Sequence, residues 1–280
     1  MNHASKQRRT RSKALVALIA AGLILTLSAT AAEAADTDAG MALAIDVYER
    51  PDGNDAATRG SMILLEEGRS PREREMVTLR LDRGDGETRT LIRFDSPADI
   101  RDTALLMHDH ARDTTDQWLY LPALDRIRRI ASNRRGGRFV SSDFFYEDLQ
   151  DRHPSQDVHR VTGTETIDGA ETTRLESVPR DNGEESVYSR RVRWIHEETL
   201  IPIRVDFYQN GEEPTKRLEV QRIERHQGYW TVMSSVMTDL ESGHRTELRI
   251  DAVTYDQGIP DRLFVTETLR DADAADDYIP

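Results

Sequence analysis

From Met76 to Tyr255 the chain keeps returning to one pattern: short runs of alternating apolar and polar residues, separated by glycine-bearing or acidic turns. Val77, Leu79 and Leu81 alternate in MVTLRLD, and Ile92 and Phe94 do so in RTLIRFD, with Asp82 to Gly86 as the turn between them. Further runs follow at 102–108, 116–121, 126–131, 157–167, 170–178, 187–196, 200–209, 215–226, 229–240 and 244–255. A period of two puts successive side chains on opposite faces of a strand, and Asn-Gly, found at 182–183 and 210–211, is the strongest hairpin signal. Around ten hairpin-linked strands with no long helix between them predict one wide antiparallel sheet. A sheet of that width must curl or close.

Helical spacing is confined to three places. Met41, Leu43, Ala44, Val47 and Tyr48 share a face in 41–50, a helix that Pro51-Asp52-Gly53 ends. Pro97 to Ile100 reads as a turn, and Ser142 to Gln150 reads as a short helix with Ser142 as its N-cap. Short helices gathered on one face of a large curved antiparallel sheet make an α+β fold. No repeat or linker divides it, so residues 35–280 are expected to form a single domain with its core at about 41–270. The acidic tail, Asp271 to Pro280, is expected to be loose.

The N-terminus addresses the compartment. Met1 to Lys13 carries five basic residues and no acid, Ala14 to Leu27 is an unbroken run of 14 apolar or small residues, and Ala32-Glu33-Ala34 fits a cleavage site. That order is a secretory signal peptide over residues 1–34, and its apolar run is too short for a membrane span. The expected destination is the periplasm, reached by the general secretory route. Loss of the leader moves the net charge from −13 to −17, which disfavours nucleic acid and anionic surfaces. Only one lysine, Lys216, then remains. The chain has no cysteine, which removes disulfides, thiolate metal sites and cysteine nucleophiles together.

Signals for catalysis are missing. There is no GxSxG, HExxH, glycine-rich phosphate loop or SxxK, and the Asp-rich turns lack complete calcium-loop spacing. His108 and His110 share a strand face without a third ligand nearby, so no metal site and no cofactor is expected. Paired carboxylates for hydrolysis would need two acids facing each other across a cleft, and nothing singles out a pair.

The segment Gln117 to Leu149 is richest in aromatic residues. Trp118 and Tyr120 lie on a strand with Leu119 and Leu121, and five arginines (126, 128, 129, 134 and 135) lead to Gly136-Gly137. Phe144, Phe145 and Tyr146 follow within SDFFYEDL. We read Trp118, Leu119, Tyr120, Leu121, Phe144, Phe145 and Tyr146 as the lining or lid of an apolar cavity, hinged at the glycine pair. The arginines are expected to pair with Asp143, Glu147 and Asp148 as a surface network.

QWLYLPALDRIRRI followed by SDFFYEDL, and preceded by RFDSPADIRDTALLM, resembles the LolA-like family of periplasmic outer-membrane lipoprotein-sorting proteins. VTGTETIDGAETTRLE, VRWIHEETLIPIRVDFYQNGE and YDQGIPDRLF extend the resemblance over about residues 41–270. It implies a LolA/LolB-like incomplete β-barrel whose concave face is covered by short helices around an apolar cavity. The implied activity is non-covalent: a carrier that shields the acyl chains of a lipoprotein or lipid across the periplasm. The rival expectation is a periplasmic adaptor or binding subunit of an inner-membrane exporter of the resistance-nodulation-division type.

Overall fold

The computed structural model describes residues 37–111, 115–180 and 186–280; the expected leader lies outside them. One helix, α1 (37–48), precedes thirteen strands. The first six are β1 (Asp55–Leu65), β2 (Arg72–Asp82), β3 (Thr88–Ser96), β4 (Ala104–Asp109), β5 (Asp116–Leu121) and β6 (Arg126–Arg129). The next four are β7 (Asp157–Ile167), β8 (Ala170–Pro179), β9 (Arg190–His196) and β10 (Pro202–Tyr208). The last three are β11 (Lys216–His226), β12 (Tyr229–Asp239) and β13 (Arg245–Tyr255).

All thirteen strands form one sheet in the order β6-β5-β4-β3-β2-β1-β13-β12-β11-β10-β9-β8-β7. The chain therefore runs outward from β1 to β6 and then inward from β7 to β13, two meanders joined where β1 pairs with β13. Every pairing is antiparallel, and β6 and β7 remain as the two edges, so the sheet is an incomplete barrel. The α+β expectation holds, with α1 and a series of 3-10 turns in place of several helices.

The central strand β1 escapes the alternation rule because it is buried on both faces. Its Met62, Ile63 and Leu64 are all nearly inaccessible, and its register shifts between Arg59 and Gly60. A Cβ on Gly60 would stand 1.9 Å from the Arg249 carbonyl oxygen, so only glycine lets β13 approach there.

The β1–β6 half is covered on both sides. On the outer face Leu79, Leu91, Ala104 and Leu106 pack against Ile259, Phe264, Leu269 and Ala275 of the C-terminal segment. Residues 271–280 are thus not loose, since Ala275 is buried and Tyr278 and Ile279 pack on the same cluster. Apolar residues spaced among the acids give the tail a face for the sheet. On the inner face Met62, Leu64, Phe94 and Met107 receive Phe139.

Phe139 belongs to the strap, residues 130–156, which connects one edge of the sheet to the other. The strap does not form the helix expected at Ser142 to Gln150; its regular structure is four 3-10 turns, at Ser132–Arg134, Phe139–Ser141, Tyr146–Leu149 and Pro154–Gln156. Nine helical residues advance about 13 Å, whereas nine extended ones advance about 30 Å. A connection that must cross the sheet favours the longer form.

Candidate functional site

Three acids of the strap meet the far half of the sheet, where Arg138 also pairs with Asp239. Asp143 accepts hydrogen bonds from Thr246 Oγ1 at 2.7 Å and lies 2.6 Å from His244 Nδ1, while Arg138 also pairs with it. Glu147 accepts from the Val187 amide at 2.7 Å and from Ser186 Oγ at 2.5 Å, and it pairs with Arg191. Asp148 accepts from the Tyr188 hydroxyl at 2.6 Å and pairs with Lys216.

Lys216, the lysine singled out in the sequence, is 2% exposed and sits 3.6 Å from the centre of the Phe145 ring. Burial lowers its pKa, with Asp148 opposing the shift. Burial raises that of Tyr188, and the Asp148 charge adds to the rise. The acids therefore do not pair with the five arginines before the glycine pair. Because the strap crosses the sheet, it carries Asp143, Glu147 and Asp148 away from β6; Arg129 pairs with Asp116 instead, and Arg135 Nη2 donates to the Thr115 carbonyl at 2.8 Å.

Between these latches the strap buries its aromatic residues. Phe144 and Phe145 pack with Tyr188, Val205, Phe207 and Met237. Tyr146 meets Phe139 edge-on at 5.8 Å, and its carbonyl accepts from Gln117 Nε2 at 2.8 Å. Leu119 and Leu121 lie on the inner face beneath the strap, whereas Trp118 and Tyr120 point to the outer face under the C-terminal segment. The structure thus brings five of the seven residues read from the sequence into the inner seam and puts two across the sheet. At the glycine pair, a Cβ on Gly136 would come 2.7 Å from Val187 Cγ1, so the strap enters its crossing by a close approach.

Beside the strap a cleft of about 940 Å³ opens on the inner face, bounded by α1, β2, β3, the end of the strap and β7 to β10. The register explains its chemistry. His159 opposes Ser177, Ser177 opposes Arg191, and Val205 and Phe207 oppose Arg193 and Arg191, so all these side chains face inward. Val47, Leu149, Val205 and Phe207 give it apolar surface, while Arg80, Arg152, Arg191 and Arg193 give it cationic surface.

Asp157 binds Arg152 at 2.8 Å, and these arginines hold its pKa down although burial opposes them. Across the cleft Asp151 accepts from Thr88 Oγ1 at 2.8 Å, and burial raises its pKa. Sequence reasoning missed this cleft because its polar side chains come from separate strands. The one available signal was arginine at alternate positions of RRVRWIH.

His108 and His110 do not converge on a metal. His108 Nε2 bonds to the Phe264 carbonyl at 2.8 Å and His110 faces Asp116 at 3.6 Å. Among the described residues no group of three or more His, Cys, Asp or Glu is placed to hold a metal ion. No helix among them is long and apolar enough to cross a membrane.

A family model described as "uncharacterized protein" matches residues 86–271. The chain belongs to that family. No curated protein matches it at a significant level. Among solved structures it is similar to a candidate outer membrane lipoprotein-sorting protein domain from Vibrio parahaemolyticus. The two are 29% identical with a TM-score of 0.79, over 84% of this chain and 99% of the other. A DUF1329 family protein from Desulfovibrio piger matches with the same identity, TM-score and coverage. A LolA superfamily protein from Nitrosomonas europaea is 16% identical with a TM-score of 0.64, over 83% of this chain and 99% of that one. At that identity the likeness establishes the fold, which is LolA-like.

Proposed function

We propose that the protein is a periplasmic carrier that binds the acyl chains of a lipoprotein or lipid beneath the strap and holds them from water without catalysis. The observation that carries this reading is the strap itself. It crosses an open sheet, fills the inner seam with Phe144 and Phe145, and is held at the far half by charged latches. Its LolA-like fold and the lipoprotein-sorting description of one similar structure support the same reading.

In the closed state the aromatic side chains occupy the seam. An entering acyl chain would take their place against Val205, Phe207 and Met237 and continue into the cleft beside Leu149. Each methylene removed from water contributes about 0.8 kcal/mol, so a long chain offsets the cost of lifting the strap. Trp118 and Tyr120 serve this reading from the outer face by fixing β5, while Leu119, Leu121 and Tyr146 form the floor and hinge side of the lid.

Native purification followed by mass spectrometry of extracted lipid tests the proposal. Co-purified acyl lipid or lipoprotein is the expected result. A lipid-free protein that captures an inner-membrane exporter would favour the adaptor role instead.

A further inference from the structure

Arg193 stands apart from the other arginines of the cleft. It is enclosed by protein on nearly all sides but keeps part of its surface open to the cleft. Its one side-chain hydrogen bond among the described residues runs from Nη2 to Ser177 Oγ at 2.9 Å, and its buried Nε has no partner. Burial brings its pKa down to about 10.

The neighbours cannot neutralise it. His159 Nε2 lies 2.8 Å from the Pro154 carbonyl, which can only accept, so Nε2 carries the proton. Burial lowers the pKa of His159 and favours the neutral ring, so Nδ1 accepts from the Ser177 hydroxyl, 2.8 Å away, and Ser177 in turn accepts from Arg193. The chain of donors runs outward from Arg193 and ends on a carbonyl, so no negative charge is met along it.

The one acid whose charge reaches Arg193 is Asp157, and it is shared: its carboxylate binds Arg152 and, at 3.8 Å, Arg191, while Glu147 pairs with Arg191. Three guanidinium groups therefore face two carboxylates at this end of the cleft, leaving one positive charge in surplus. Asp148 pairs with Lys216, and the remaining acids of the cleft, Glu49, Asp52, Asp82, Asp85 and Asp151, belong to its other end, with Arg50 and Arg80. A desolvated cation that only shares a counter-charge is costly unless a ligand supplies another.

We infer that the cleft receives an amphiphile whose anionic group, a phosphate or carboxylate, sits against Arg193 while its acyl chain runs over Val205, Phe207 and Leu149. This inference rests on the carrier reading and narrows its cargo to anionic acyl lipids. The planar guanidinium, part of whose surface opens on the cleft, suits an oxygen anion, and the cleft is at the upper end of the size range for small-molecule sites.

Binding of three fluorescent probes with the same acyl chain tests it: a lysophosphatidylglycerol, a fatty acid and a neutral monoacylglycerol, each titrated into the full mature chain and into Arg193→Gln. The expected result is at least tenfold tighter binding of one or both anionic probes, weakening with salt, and a tenfold loss of that preference in Arg193→Gln with the neutral probe unchanged. The two anionic arms tell phosphate from carboxylate.

Equal binding of all three probes by the wild type would overturn the inference and leave the carrier standing. So would an equal loss for all three in the variant. If no acyl probe binds, the carrier reading falls; glycerol phosphate and butyrate titrations then decide whether an Arg193-dependent anion site exists, and no binding overturns it. Arg193→Gln is expected to melt no lower than the wild type. If it does not fold, Arg193→Lys replaces it, with the same loss of anionic preference expected and full retention contradicting the proposal.

Discussion

The two halves of the sheet are covered by different chemistry. Over β1 to β6 the covers are apolar: Phe139 lies on Phe94 and Met62 on one face, and Leu269 and Phe264 lie on Leu91 and Leu106 on the other. Over β9 to β13 the same strap is fastened by Asp143, Glu147 and Asp148 to His244, Arg191 and Lys216. Apolar burial holds a segment without regard to direction, whereas a buried ion pair contributes little net stability but is sensitive to the loss of either partner. The first half reads as a permanent wall, the second as a door with latches.

The sharpest way to break this comparison is a cavity in the wall. Phe94→Ala, beneath Phe139, is expected to cost about 3–5 kcal/mol in urea unfolding, lowering the stability of the whole domain. A loss below about 1 kcal/mol would mean that the wall is not packed as described.

Next is the buried latch. Lys216→Met leaves Asp148 without its counter-charge and is expected to cost about 3 kcal/mol. Hydrogen exchange should then rise in residues 142–150 before it rises in β1 to β5. Adding Asp148→Leu is expected to recover most of the loss.

The next test concerns a buried carboxylate in the wall. Asp109, on β4, accepts from Thr115 Oγ1 at 2.7 Å, and burial raises its pKa from 3.8 to about 7. Below about pH 4 its carboxyl is protonated in both folded and unfolded chains. Between pH 4 and 7 the unfolded chain ionises first, so this group withdraws stability as pH rises, with a slope of at most about 1.4 kcal/mol per pH unit. Asp109→Asn should reduce that slope in urea titrations at pH 4.5 and 7.5, whereas an unchanged slope would locate the pH dependence elsewhere. Least affected should be Arg126→Ala with Arg128→Ala on the exposed edge strand, where a change within about 0.5 kcal/mol is expected in the same titration.

The same contrast explains what could be read from the sequence. Strands exposed on one face, such as β12 with its alternating burial, declare themselves through a period of two. β1 does not, because covering both faces turns its pattern into the continuous MILL run, and its small residues serve close approach rather than packing. The strap's aromatic run was legible in the sequence, but its extended course was not. Its Phe-Phe-Tyr run carries no helical period, and Val140 at φ 44° and Ser141 at φ 65° break any helix before Ser142. The tail was misread because Asp271, Asp273, Asp276 and Asp277 hide the spacing of Ala275 and Ile279 among them. The cleft lay beyond sequence reasoning, since Arg193 gains its meaning only when register sets it beside Ser177 and Val205.

The door itself can be tested by fastening it. The chain has no cysteine, so a pair introduced as Asp143→Cys with Thr246→Cys, where the Asp143 amide lies 2.9 Å from Thr246 Oγ1, would tie the strap to β13 without competing thiols. Binding of a fluorescent acyl probe is then measured before and after reduction of that bond. We predict that the oxidised protein excludes the probe and that reduction restores binding. Equal binding in both states would contradict the strap's role as a releasable cover.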